Sequence, residues 1–507
     1  MKYYMGIDNG GTTTKAALYR EDGFCAGVAS TETAMLVPRA GFTERDMEEM
    51  WQANCTVIRD VIAQTGIDAA DIAGVACCGH GKGLYLWGKD GRPARPGIIS
   101  TDNRAWEYPL RWEKDGTAEK VFAKSCQHIM ACQPVSLLAW LQDHEPECLE
   151  KTQWIFECKD YVRFRLTGEA YGEITDYSGA NFVNLKTRRY DPELLRLFGL
   201  EAWLDKLPPL RQSTDVCGRI TGETAEKTGL KAGTPVAGGM FDIDACLIAV
   251  NAADEEHICM IAGTWSINEY IRREPVLDGK VLMNSLFCLP EYYLIEESSA
   301  TSAGNHEWFV KTLLPELREQ AKKDGTSVYK LTDQWVEDIP ASEFCPIFTP
   351  FLMASNVHPN AKASFTGLSN YHTRKHLMRS VFEGIAFSHR YHLDKLLATR
   401  STPPASIRLA GGVARSAVWT QIFADLMGYP IETVDVKETG ALGCAMAAAV
   451  AAGDYQDLSQ AAQRMSTVNP AVYPNAENRP YLEQRYQLYC KILDALDPVW
   501  DDLQKLL

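Results

Sequence analysis

Two segments far apart in the chain carry the same pattern, and this repetition limits the fold more than any other feature. Tyr3-Tyr4-Met5-Gly6-Ile7-Asp8 is an apolar run of strand type, and Asn9-Gly10-Gly11-Thr12-Thr13-Thr14 is a turn rich in glycine and hydroxyls. Lys15-Ala16-Ala17-Leu18-Tyr19 then begins a second strand. In the second half, 256–262 reads as a strand, Gly263-Thr264-Trp265-Ser266 as the turn, and 267–271 as the returning strand. Strand, glycine-hydroxyl turn, strand predicts an antiparallel hairpin in each half. The likeness is one of pattern more than identity, so a duplicated unit is one reading of it. Asn251-Ala252-Ala253-Asp254-Glu255 separates the halves and is the expected boundary.

A turn at Glu21-Asp22-Gly23 leads to a third short strand, Phe24–Val28. Met47, Met50, Trp51, Val57, Ile58, Val61 and Ile62 follow helical spacing within 44–63, and 72–78 returns to a buried strand. That β-β-β-α-β order predicts an α/β layered domain with a mixed sheet. Helices are expected at about 374–398, 416–427 and 480–507, and a strand at 407–410. The Ala-rich stretch 441–453 reads as a closely packed core helix.

The length of 507 residues suits two to four domains. Asp and Glu number 66 against 51 Lys and Arg, a formal charge of -15. Such a balance repels phosphate backbones and anionic lipid. The basic cluster Lys186-Thr187-Arg188-Arg189 is short and lacks stacking aromatics, so no nucleic-acid partner is expected. No stretch approaches the ~20 apolar residues of a membrane span, so no membrane partner is expected either. The start of the chain has no signal-peptide core. The 15 cysteines are odd in number and never form C-x-x-C, which reads as reduced thiols in a cytoplasmic protein.

Several constellations carry chemical promise beside a plainer reading. Gly10 and Gly11 let backbone N–H groups approach an anion, while Thr12, Thr13, Thr14 and Lys15 add donors. Asp8, ending the first strand, suits a Mg²⁺ held through waters. Neither a Walker loop nor a dinucleotide turn is present, and the plain alternative is a hairpin with ordinary turn glycines. Gly263 and Thr264 form a second such turn, which strengthens the phosphate reading. Gly411-Gly412-Val413-Ala414-Arg415-Ser416 is a strand end leading to a helix capped by Ser416, where glycines would admit a flat ring or a phosphate. Gly238-Gly239-Met240-Phe241-Asp242-Ile243-Asp244 sets a carboxylate where a strand meets a helix, ready to accept a hydroxyl proton or simply to cap the helix. Asp242 and Asp244 are not separable by position. Gly79-His80-Gly81-Lys82-Gly83 and Thr101-Asp102-Asn103-Arg104 suit a polyhydroxylated ligand or ordinary turns. His372 and His376 stand four apart, but no third ligand is evident and a solvent-facing helix start is expected.

In this order and spacing the pieces resemble the FGGY family of carbohydrate kinases, over roughly residues 3 to 500. The most specific segment is 367–384, Gly-Leu-Ser-Asn-Tyr-His-Thr-Arg-Lys-His-Leu-Met-Arg-Ser-Val-Phe-Glu-Gly. It resembles the family's C-terminal signature, and 160–169 and 437–445 are also family-like. The resemblance implies an α/β protein of two ribonuclease-H-like domains of the actin and sugar-kinase type, flanking an active-site cleft. The expected domains are 1–250, with the sugar site, first phosphate hairpin and base, and 256–507, which binds ATP. The terminal helix would pack on either.

By matched motif, Asp8 would position Mg²⁺ and Gly10 to Lys15 would hold ATP phosphates. Gly263 and Thr264 would form the second phosphate hairpin, with Gly411, Gly412 and Arg415 at the adenosine. Asp242 matches the family's base and would take the proton of a sugar hydroxyl attacking the γ-phosphate, with Asp244 the neighbour. His80, Lys82, Asp102 and Arg104 would contact the sugar.

Departures narrow the substrate. Glycerol kinases carry an Arg-Glu pair after this strand, where this chain has Gly79-His80-Gly81-Lys82-Gly83, and a Trp of their next motif is Ser100 here. Lys82 stands at the His of D-xylulose kinases, and Leu137 replaces a signature Lys. Gly81-Lys82-Gly83 with Pro134-Val135-Ser136-Leu137-Leu138 is most similar to bacterial L-xylulose kinases. A ketopentose is therefore expected, L-xylulose first, phosphorylated on its terminal 5-hydroxyl. L-Ribulose, D-xylulose and erythritol are the alternatives, and a catalytically silent sugar sensor or a chaperone-like ATPase are the competing classes. Dimers are common in the family, which leaves a homodimer among the expected assemblies.

Overall fold

The computed structural model describes residues 1–506. The chain divides into two compact units. The first comprises 1–253, 271–295 and 435–467, and the second 254–270, 296–434 and 468–507.

Both hairpins form as the pattern predicts. In the first unit Tyr3–Asn9 pairs antiparallel with Thr13–Arg20, and Asp8 faces Lys15 across the ladder. Thr13–Arg20 pairs in turn with Cys25–Glu32. On its other side Tyr3–Asn9 runs parallel to Ile72–Gly79, which runs parallel to Pro235–Ala237. In the second unit His257–Ala262 pairs antiparallel with Ser266–Arg272 and parallel with Ser406–Ala410, and the latter runs parallel to Ile431–Thr433. Antiparallel, parallel, parallel is thus repeated strand for strand. The duplication is one of topology.

The helix Met47–Thr65 is capped by Asp46, whose carboxylate accepts from the Glu48 and Glu49 N–H groups, and it ends at Gly66 in the left-handed region. Its buried face carries Met47, Met50, Trp51, Val57, Ile58 and Val61. Burial of each large apolar side chain stabilises the fold by about 1.5–3 kcal/mol.

The Ala-rich stretch forms the helix Thr439–Ala451, nearly all of it buried. It lies against the first unit's sheet at van der Waals contact because glycines face it. A Cβ on Gly6 would stand 1.7 Å from the Ala441 carbonyl oxygen, and one on Gly74 2.8 Å from that of Ala448. Side chains at those positions would push the helix off the strands.

The helix Arg374–Leu397 corrects one expectation. His376 is buried, not solvent-facing: it closes a capping box with Thr373, and its Nε2 lies 2.7 Å from Glu343 Oε1. His372 contacts the Ser369 N–H through Nδ1, so the two histidines hold a helix start. The terminal helix Arg479–Gln504 packs within the second unit, where Arg485 donates to the Ala341 and Glu343 carbonyls. No helix among the described residues is long and apolar enough to cross a membrane.

Candidate active site

The first turn is held through its carbonyls. Gly10 N–H donates to Thr13 O at 3.0 Å, and the buried Arg45 donates through Nη1 to Gly10 O at 3.2 Å and through Nη2 to Gly11 O. In a trans peptide the N–H points opposite the carbonyl, so fixing these oxygens turns the Gly11 and Thr12 N–H groups the other way. That outer face is open: a Cβ on Gly11 would meet no atom within 4 Å. Gly11 and Thr12 are exposed and Gly10 and Thr13 half-buried. Thr14 points inward, its hydroxyl donating to Asn9 Oδ1 at 3.3 Å, and Asn54 donates to the same oxygen at 2.8 Å. Lys15 is ion-paired with Glu438 at 2.6 Å.

Asp8, the last residue but one of the strand Tyr3–Asn9, lies next to this turn, half-buried. Burial raises its pKa, Lys15 pulls it down, and Glu438 pushes it up. The second residue of the Ala-rich helix is glycine for a local reason: a Cβ on Gly440 would sit 2.9 Å from Asp8 Oδ2.

Asp242 and Asp244 part company in the structure. The helix Asp242–Ala249 has Phe241 at its N-cap and no side-chain cap, so neither aspartate serves as one. Asp244 is wholly buried and its Oδ1 accepts from the Cys288 N–H at 3.1 Å. Asp242, on the first helical residue, stays half-buried and open. Burial raises its pKa well above the ordinary carboxylate range, and Asp8 and Asp176 add to the rise. Lys82 and the Ile243 N–H oppose it.

Among the expected sugar contacts, His80 is buried and its Nε2 lies 2.8 Å from the Tyr85 hydroxyl. Burial, then Arg45, lowers its pKa to about 3, so the ring is neutral. Lys82 adopts φ 64°, a left-handed conformation that a lysine rarely takes, and is buried with its Nζ 5.4 Å from the centre of the Phe241 ring. Its charge acts on Asp242, lowering that carboxyl's pKa. Asp102 and Arg104 are engaged with each other, Nε to Oδ1 and Nη2 to Oδ2 both at 2.9 Å. Arg104 also pairs with Glu44 at 2.7 Å and lies over the rings of Phe42 and Trp140. Its Nη1 has no hydrogen-bond partner.

The second turn opens on a cavity of about 530 Å³ within the second unit. Gly263, Thr264, Gly412 and Arg415 line it, bringing together two motifs far apart in the chain. Gly411 has a different task. At φ 91° it brings the end of its strand against the neighbouring one, where a Cβ would stand 2.4 Å from Ala262 O. A Cβ on Gly263 or Gly412 would meet open space. Residues that the sequence reading passed over complete the wall, notably His306, Tyr329, Asp333 and Trp419. Trp419 stacks on Phe382 at 4.0 Å, and His306 stands edge-on to Trp419 at 5.3 Å. Asp333 accepts from the Ser416 hydroxyl at 2.8 Å, and Ser416 caps the next helix. The helical spacing of Tyr329 and Asp333 was the available signal, but it does not tell a cavity wall from a core face. Arg45 in the first unit carried no sequence signal at all.

Residues 3–249 match the FGGY family of carbohydrate kinases, N-terminal domain, and residues 258–452 match its C-terminal domain. The chain belongs to the FGGY family of carbohydrate kinases. The L-xylulose/3-keto-L-gulonate kinase of Escherichia coli K12 is 35% identical over 502 residues, covering 98% of this chain and 97% of that one. A probable L-xylulose kinase of Pasteurella multocida is 34% identical over 500 residues, covering 98% and 99%. Among solved structures, ligand-bound xylulose kinase from Lactobacillus acidophilus superposes with a TM-score of 0.88 at 25% identity, covering 99% of this chain and all of that one. This FGGY protein is therefore a sugar kinase with the family's two-domain, ribonuclease-H-like fold.

Kinases of this family use ATP, generally with Mg²⁺. Among the described residues no group of three His, Cys, Asp or Glu side chains could hold a metal ion. One half-buried carboxylate, Asp8, near the phosphate-type turn nevertheless fits Mg²⁺. This ion takes one or two carboxylates and completes its shell with waters and substrate phosphates.

Proposed function

We propose that this FGGY kinase transfers the γ-phosphate of ATP to the terminal 5-hydroxyl of a ketopentose, L-xylulose first, with Asp242 as the general base. The observation that carries the role of Asp242 is the contrast with Asp244: one carboxylate is open beside Asp8 and Lys82, the other is buried on the Cys288 amide. The sugar's identity rests on the two relatives named above, both L-xylulose kinases by name.

In the reaction the sugar oxygen forms a bond to the γ-phosphorus, the bond from that phosphorus to the β-bridging oxygen breaks, and ADP leaves. The hydroxyl proton passes to an Asp242 carboxylate oxygen. Burial and the neighbouring carboxylates raise the proton affinity of Asp242, which suits it to take the hydroxyl proton, and the Lys82 cation opposes part of that rise. In the second unit Gly263 and Thr264 bind phosphate, and Gly412, Arg415 and the aromatic wall hold the nucleoside. In the first unit the outward N–H groups at Gly11 and Thr12, with Thr13, bind phosphate. Mg²⁺ near Asp8, when bound, offsets charge on the phosphates. The transition state of phosphoryl transfer is loose, so most of the rate comes from alignment and charge.

A sugar acid is a second acceptor reading, favoured by the 3-keto-L-gulonate in the name of the Escherichia coli relative.

The test is ADP release with MgATP against ketopentoses, aldoses, short polyols and 3-keto-L-gulonate, run alongside Asp242→Ala. Strong stimulation by L-xylulose, lost in the variant, supports sugar and base together. Stimulation by another sugar alone overturns the substrate. ADP release that needs no sugar overturns the acceptor reading.

A further inference from the structure

Glu157 and Asp176 lie in the first unit and neither belongs to the machinery above. Both are nearly sealed, at 1% and 2% exposure. Each uses one oxygen and leaves the other empty. Glu157 Oε2 accepts the Lys82 N–H at 3.2 Å, and Asp176 Oδ2 binds Lys159 Nζ at 2.5 Å. Glu157 Oε1 and Asp176 Oδ1 have no hydrogen-bond partner. A buried acceptor without a donor is costly and calls for an explanation.

Their neighbours place them beside the base. Thr175, next to Asp176 in the chain, accepts the N–H of Phe241, next to Asp242, at 2.9 Å. Glu157 fixes the backbone of Lys82, whose charge acts on Asp242. The Asp176 carboxyl, its own pKa pushed up to about 7 by burial, acts on both Glu157 and Asp242 and raises the pKa of each. Two vacant acceptors therefore share one small region with the proposed base. A polyhydroxylated sugar is a dense source of donors, and a site built to bind a hydroxyl strongly rejects the analogue that lacks it.

We propose that Glu157 Oε1 and Asp176 Oδ1 accept hydrogen bonds from hydroxyls of the acceptor sugar and thereby select its configuration. The proposal rests on the acceptor-site reading of Asp242 given above. Lys159 is then a positioning residue: bonded to Asp176 and within 3.2 Å of Glu173, it holds the Asp176 carboxyl in place.

The experiment measures steady-state kinetics of Glu157→Gln and Asp176→Asn with the best ketopentose, and of the wild-type enzyme with its singly deoxygenated analogues. The KM for sugar should rise roughly tenfold to a hundredfold in each variant, with the KM for MgATP held within about twofold. For each variant, one deoxy analogue should be handled no worse than by the wild type, because the lost hydroxyl and the lost acceptor are the same contact. If a variant does not fold, the wild-type series still decides: at least two hydroxyls besides the reacting one must each be worth about tenfold. Folded variants with unchanged sugar KM, or deoxy sugars accepted as well as the parent, overturn the proposal and leave the carboxyls a structural pair. Absence of sugar-stimulated ADP release in the wild type overturns the acceptor reading and this inference with it.

Discussion

In the first hairpin the turn carbonyls of Gly10 and Gly11 are held by the buried Arg45 guanidinium, and charged side chains crowd the strand end at Asp8. In the second, the turn at Gly263 and Thr264 borders a cavity of about 530 Å³ walled by His306, Tyr329 and Trp419. The strand order is shared and the surroundings are not. A duplicated backbone device thus acquires its chemistry from what is packed beside it: carboxylates, a lysine and a guanidinium in one unit, aromatic rings in the other. On the proposed reading, proton transfer uses the first environment and a flat nucleoside base the second.

Breaking the charged half should cost most. Asp242→Asn should lower kcat by about 10²- to 10⁴-fold with nucleotide affinity retained, as read by steady-state kinetics and by calorimetric titration with ADP. Retention of full kcat would remove the base from the first unit. Arg45→Ala should release the first turn and cut kcat by about 10- to 100-fold, because the Gly11 and Thr12 amides lose their fixed direction. An unchanged rate would show that the hairpin orients itself.

The second hairpin can be probed by two adjacent glycines with opposite tasks. Gly411→Ala should destabilise the protein by about 1–3 kcal/mol in chemical denaturation, since it combines φ 91° with a close carbonyl. Gly412→Ala should leave stability within about 0.5 kcal/mol and raise the KM for ATP a few-fold, because its Cβ enters the cavity. Equal loss of stability in both would abolish the distinction between packing and lining.

The smallest effect expected is a displacement in pH. The proposed base Asp242 must be ionised to act, so activity should fall as pH drops through its raised pKa, with the acid limb of kcat/KM above the ordinary carboxylate range. Lys82 lowers that pKa, so Lys82→Met should move the limb to higher pH. A limb that stays in place would disconnect Lys82 from the base.

The hairpins, the capped helix Met47–Thr65 and the Ala-rich core helix were legible because each rests on local spacing: alternation, a 3.6-residue period, glycine at turns. Asp8, Asp242 and the glycine turns stood out in the sequence as candidates because motif and strand end coincide. Arg45, Glu157 and Asp176 did not stand out, for each is placed by partners distant in sequence and sits in no pattern. Asp102 and Arg104 were expected to contact the sugar or to form an ordinary turn; they fold onto each other and onto Glu44 in a buried ion-pair network. His376 looked like a surface residue of a helix start and is buried on Glu343.

By itself the sequence determined the two strand-turn-strand units, the excess of negative charge and the presence of the family's motifs, since periodicity and turn chemistry are properties of adjacent residues. Only the tertiary structure decided which of Asp242 and Asp244 stays open, which glycine packs and which lines a cavity, and which buried carboxyl oxygens lack a donor. Those outcomes depend on burial and on the direction of single bonds among residues brought together from remote parts of the chain. No local pattern encodes them.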